Sequence, residues 1–95
     1  MMPLSAALER AARLAAPFKA SIYVVECRSE AFVLPWPKAR EPGRLFTACV
    51  QRLRGNAAPF TAMIEVYEDG SRHRVTATEA AAVGGDAKPD AEPAT

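Results

Sequence analysis

Apolar positions recur with helical spacing over Pro3 to Ala16. With Leu4 set at zero and 100° per residue, Leu8, Ala11, Ala15 and Phe18 fall within about 40° either side of it. Glu9, Arg10 and Arg13 occupy the opposite arc, and Pro17 stops the helix. The stripe is narrow and rich in alanine, so this helix can approach its neighbour closely. Ile22-Tyr23-Val24-Val25 then reads as a strand from its β-branched and aromatic content. It is apolar on both sides, which places it inside a sheet with cover on each face. Ala31 to Leu34 is a second apolar run, able to return as a hairpin arm through Arg28-Ser29-Glu30. Pro35-Trp36-Pro37 is expected to end any strand and hold extended backbone.

After the polar loop Lys38 to Gly43, Pro42 suits the first turn of a helix. From Arg44 to Arg54 the periodicity is the clearest in the chain. Leu45, Phe46, Cys49, Val50 and Leu53 cover an arc of about 140°, with Arg44, Thr47, Gln51 and Arg54 opposite and a left-handed stop at Gly55-Asn56. Thr61 to Glu68 and Ser71 to Thr78 flank Asp69-Gly70, the preferred pair for a two-residue type I′ hairpin. That turn sets Val66 opposite His73, Ile64 opposite Val75 and Glu65 opposite Arg74, and Tyr67 opposite Arg72. The pattern predicts a small α+β domain over residues 1–83: helix, strand or hairpin, helix, β-hairpin. Residues 84–95 hold two glycines, two prolines and no bulky apolar side chain, and read as a disordered acidic tail.

Composition changes this picture little. The chain has 95 residues, 49% of them apolar, with 12 basic and 11 acidic residues. No apolar stretch approaches the ~20 residues that span a bilayer, and the first helix lacks the bulky apolar anchors and cationic face of a membrane-surface helix. The N-terminal segment lacks the pattern of a secretory signal, so a cytoplasmic location is expected. Nine arginines and twenty alanines point to the composition of a GC-rich bacterial genome. The chain's size would suit a protein of a mobile element or phage.

Candidate chemistry is sparse. There is no Gly-rich phosphate loop, HExxH or CxxC, so no metal or cofactor is expected. His73 is the single histidine, placed by this register at the edge of the core, without an obvious nucleophile or orienting partner. Cys27 and Cys49 read as free, buried residues. An enzyme working through Cys49 or His73 is therefore the third reading. The second is a nucleic-acid-binding module that uses the hairpin arginines Arg72 and Arg74 with Lys38, Arg40, Arg44 and Arg54. Glu65 amid the hairpin arginines opposes it. The first is protein binding, to another protein or to itself as a homodimer. Two helices packed on one side of the sheet would leave Tyr23, Val25, Met63 and Tyr67 as an exposed patch. Trp36, clamped between two prolines, is either a pre-organised anchor beside that patch or a lid over the core.

Overall fold

The computed structural model describes residues 1–55 and 59–82, so the expected tail lies outside the described residues. The chain runs β1 (Met2–Pro3), α1 (Leu4–Ala15), a 3-10 turn (Ala16–Phe18), β2 (Ser21–Cys27), β3 (Glu30–Lys38), α2 (Arg44–Arg54), β4 (Ala62–Val66), β5 (Arg72–Thr76) and α3 (Ala77–Ala80). Five strands form one antiparallel sheet in the order β1-β3-β2-β4-β5, giving an α+β fold. No described helix is long and apolar enough to cross a membrane.

The doubly apolar strand is the centre of this sheet. Ile22 and Val24 of β2 meet α1, whose Ala7, Ala11 and Ala15 are fully buried against the same cluster. Because alanine adds little bulk, α1 lies close over β2 and β3. Tyr23 and Val25 point the other way, into a second cluster with Met63, Val75 and the α2 residues Leu45, Cys49 and Val50. One helix therefore covers each face. The expected uncovered face does not exist: Tyr23, Val25 and Met63 are at most 2% exposed, and Tyr67 is half-buried. The β3–α2–β4 connection carries α2 to the face opposite α1, which closes the layer that sequence periodicity left open.

The C-terminal hairpin is shifted by one residue from the expected register. Glu65 pairs with His73 and Ile64 with Arg74, while Val66 pairs with Arg72. The loop has three residues, closed by hydrogen bonds from Tyr67 N–H to Ser71 O and from Gly70 N–H to Tyr67 O, each 2.9 Å. Gly70 alone in this loop takes a positive φ, 89°, as a type I turn followed by a left-handed bulge requires. A type I′ turn would need positive φ at Asp69 as well. The Asp69 carboxylate instead accepts from Ser71 N–H and Oγ, which draws the chain around the longer loop. Those same bonds hold the Asp69 carboxyl below its ordinary pKa, the Ser71 hydroxyl bond contributing most.

Other differences are local. Phe18 leaves the α1 stripe because the 3-10 turn at Pro17 rotates it outward, and it is 62% exposed. Pro42 sits one residue ahead of the α2 N-cap, Gly43, whose φ of 79° is left-handed. Gly55 ends α2 at an ordinary φ of −82°, and a Cβ there would crowd the Gln51 carbonyl at 3.2 Å; Asn56 is not among the described residues. The second arm of the expected strand ends at Thr76, where a capping box opens α3. Glu79 N–H donates to Thr76 Oγ1 while Thr76 N–H donates to the Glu79 carboxylate.

Finally, Pro35-Trp36-Pro37 does not end β3. Tyr23 pairs with Leu34 and Ser21 with Lys38, so three β3 residues stand opposite Ile22 alone. The prolines are tolerated because they form a bulge on a strand whose far side is paired only near Ala31, by the two-residue β1.

Candidate functional site

Sheet order and register place Tyr23, Glu65 and His73 side by side across β2, β4 and β5, on the face covered by α2. The next row toward the hairpin end of β2, Val25, Met63 and Val75, is wholly apolar and lies beneath the body of the helix. The polar row lies at the N-terminal end of α2, where the Arg40–Gly43 loop closes over it. Glu65 is 3% exposed. One of its carboxylate oxygens accepts from Tyr67 Oη at 3.0 Å and lies 4.0 Å from His73 Nδ1. Among the described residues its Oε2 is buried with no protein partner, as is the Tyr23 hydroxyl. Burial, and then the Glu65 charge, pushes the Tyr23 hydroxyl up to about 12. Burial also raises Tyr67, helped by its hydrogen bond to Glu65.

A cavity of about 290 Å³ opens in front of this row, lined among others by Arg40, Glu41, Gly43, Glu65, Tyr67 and His73. The Arg40 guanidinium stacks 3.9 Å from the centroid of the Tyr67 ring and fixes the rim. Gly43 gives α2 no side-chain cap, and the Arg44 N–H at the start of the helix donates instead to the Glu41 carbonyl at 3.1 Å. Sequence reasoning missed this site because the expected register sent His73 and Glu65 to opposite faces. The signal that would have found it is the loop: Glu68-Asp69-Gly70 can be a three-residue turn, and Ser71 offers Asp69 its donors.

No family model, curated protein or solved structure matches this chain. The reading of its surfaces therefore rests on the geometry alone.

The structure separates the remaining candidates. Trp36 does not lid the core. It is 64% exposed, thrown outward by the β3 bulge. Phe18 lies at the same end of the sheet, since it precedes Ser21 as Trp36 precedes Lys38 and those two residues are paired. Exposed Lys19, half-buried Lys38 and exposed Arg40 belong to the same end.

The hairpin arginines are not gathered into one surface with the α2 cations. Arg74 faces the α1 side, where its Nε and Nη2 donate to the two Glu26 oxygens at 2.9 and 3.2 Å. That fork reaches across β4, over the small Ala62 side chain. Arg72 is beside Val66 on that same side. Arg44 is engaged by Glu41, and Arg54 lies in the last turn of α2 with Arg52, which stacks near the Phe32 ring.

Cys49 is fully buried, its thiol toward the Thr76 carbonyl, and burial followed by the Glu79 charge pushes its pKa up. A reactive cysteine needs the opposite environment. Cys49 and His73 thus supply no nucleophile–base pair. Among the described residues no group of three His, Cys, Asp or Glu side chains could hold a metal ion.

Proposed function

We propose that this protein acts by binding another protein through the Trp36 end of the sheet, and that the partner offers an apolar segment flanked by carboxylates. The observation that carries the reading is the exposure of Trp36, 64%, on a bulge built from Pro35 and Pro37. A small domain gains from burying its only tryptophan, and this one holds it in water on restricted backbone. Such a side chain loses little conformational entropy on docking and has the chemistry of an interface anchor. Phe18, also exposed, lies at the same end of the sheet, as do Lys19, Lys38 and Arg40. Of the acidic groups at this end, Glu41 is engaged by Arg44 and Glu65 belongs to the buried row, while Asp69 in the β4–β5 turn interacts with Arg40. The contact is through side chains, because Pro35 and Pro37 offer no N–H to an added strand.

Nucleic acid, the second reading, shares the taste for aromatic and cationic groups but loses Arg74 to Glu26. The deciding experiment is calorimetric titration of the full chain with three probes. They are a helical peptide with one leucine and one glutamate face, the same peptide with lysine for glutamate, and oligo-dT. The glutamate peptide is expected to bind saturably, and Trp36→Ala to weaken it roughly tenfold or more. Equal binding of the lysine peptide, tighter binding of oligo-dT, or an unchanged affinity in Trp36→Ala would overturn the proposal. So would sedimentation showing a dimer that Trp36→Ala dissolves, since the occupant would then be a second copy.

A further inference from the structure

The two helices leave opposite flanks of the sheet partly open, and the chain furnishes those flanks differently. A helix with its side chains is about 10 Å across and strands lie about 4.8 Å apart, so one helix covers roughly two strands. In the order β1-β3-β2-β4-β5, α1 packs mainly on β2 and β3, and α2 on β4 and β5. Where α1 leaves β5 open, the sheet presents the exposed Arg72 and Arg74. Where α2 leaves β3 open, it presents Phe32 and Leu34, which pair with Val25 and Tyr23 and are only half-buried. Water suits the first flank, whereas the second offers apolar surface for a partner to cover.

Between β3 and α2 this flank forms a groove. Two recesses, of about 390 and 430 Å³, share Tyr23, Lys38, Ala48 and Gln51. Leu34 lines the second, and Arg52 beside it stands over the Phe32 ring, 5.5 Å from the centroid. The carboxylates toward the two ends are Glu41, which Arg44 engages, and Glu30, two residues before Phe32. Lys38 and Arg52 have no carboxylate partner among the described residues, so the unpaired charge along the groove is positive.

We infer that an acidic amphipathic helix of the partner lies in this groove beside α2, its apolar stripe on Leu34 and Phe32 and its carboxylates at Lys38 and Arg52. Such a helix continues the layer of α2 over β3, the mode in which an apolar helix face fills an apolar groove. Trp36, two residues beyond Leu34, then stands at one end of it. The inference rests on the protein-binding reading for the class of partner and adds the form and place of its segment.

The test is calorimetric titration of the full chain with the glutamate-faced leucine peptide and with a version broken by a central proline. The helical form is expected to bind about tenfold or more tightly, because it alone holds leucines and glutamates on separate faces. Ala48→Glu, which brings bulk and like charge into the groove, is expected to weaken it about tenfold or more. Gln51→Glu and Gln51→Lys change an exposed side chain of the same wall. They are expected to weaken and tighten binding, respectively, by about two- to fivefold. If Trp36→Ala weakens binding while Ala48→Glu and both Gln51 variants leave it unchanged, this inference alone is overturned. If Ala48→Glu weakens it and Trp36→Ala does not, the helix site stands and the Trp36 anchor is overturned. Equal binding of the proline peptide, or no saturable binding, would also overturn the inference. So would a dimer of the free chain that Gln51→Glu dissolves, since a second copy would then occupy the groove. Should Ala48→Glu fail to fold, the two Gln51 variants decide.

Discussion

Met63→Ala is expected to destabilise the protein by about 2–5 kcal/mol, whereas Trp36→Ala changes stability by less than about 0.5 kcal/mol. Met63 is 2% exposed between β2, β5 and α2, so truncation leaves a cavity that packed neighbours fill only in part. Trp36 is the larger side chain, but most of it is already in water. A domain of this size has roughly 5–15 kcal/mol to lose, so Met63→Ala takes a large share of it. Urea unfolding followed by far-ultraviolet circular dichroism reads both variants without depending on the tryptophan. Similar small losses would mean that the second face of the sheet is open after all.

The other large effect is overpacking beneath α1. Ala11→Leu adds bulk where the helix touches the sheet with no exposed surface at Ala7, Ala11 or Ala15. The cost is expected at about 1–3 kcal/mol, a fall in Tm of several degrees per kcal/mol for a chain of this length. Arg10→Leu, on the exposed side of the same helix, is the control and should move Tm little. If Ala11→Leu were also silent, α1 would not sit at the distance its alanines permit.

These two sites show what periodicity can and cannot convey. The stripes on α1 and α2 were legible because each helix has one apolar arc, and the strand Ile22 to Val25 announced cover on both sides through its own residues. Which helix covers which side was not legible. That depends on the crossover from β3 to β4, and no local pattern encodes it. The assumption that both helices share a face made Tyr23, Val25 and Met63 look like a docking patch. The hairpin shows a second limit. Asp69-Gly70 fits two loop lengths, and the choice was made by bonds from Ser71 to Asp69 that a residue-pair preference does not contain. One residue of register moved His73 onto the face of Glu65 and Arg74 onto that of Glu26, creating the cleft and dispersing the supposed basic ribbon. Thr76 and Glu79, by contrast, carry the spacing of a capping box in plain view, and would have ended β5 where it does end.

The account depends most on a sheet sealed by its own helices while Trp36 stands in solvent. A soluble paramagnetic probe, read by NMR on the free full-length chain, measures both at once. The Met63 methyl and the Val25 methyls should keep their intensity, and the Trp36 indole N–H and the Phe18 ring should be strongly broadened. Broadening of Met63 and Val25 comparable to that of Trp36, or a Trp36 indole as protected as they are, would contradict it.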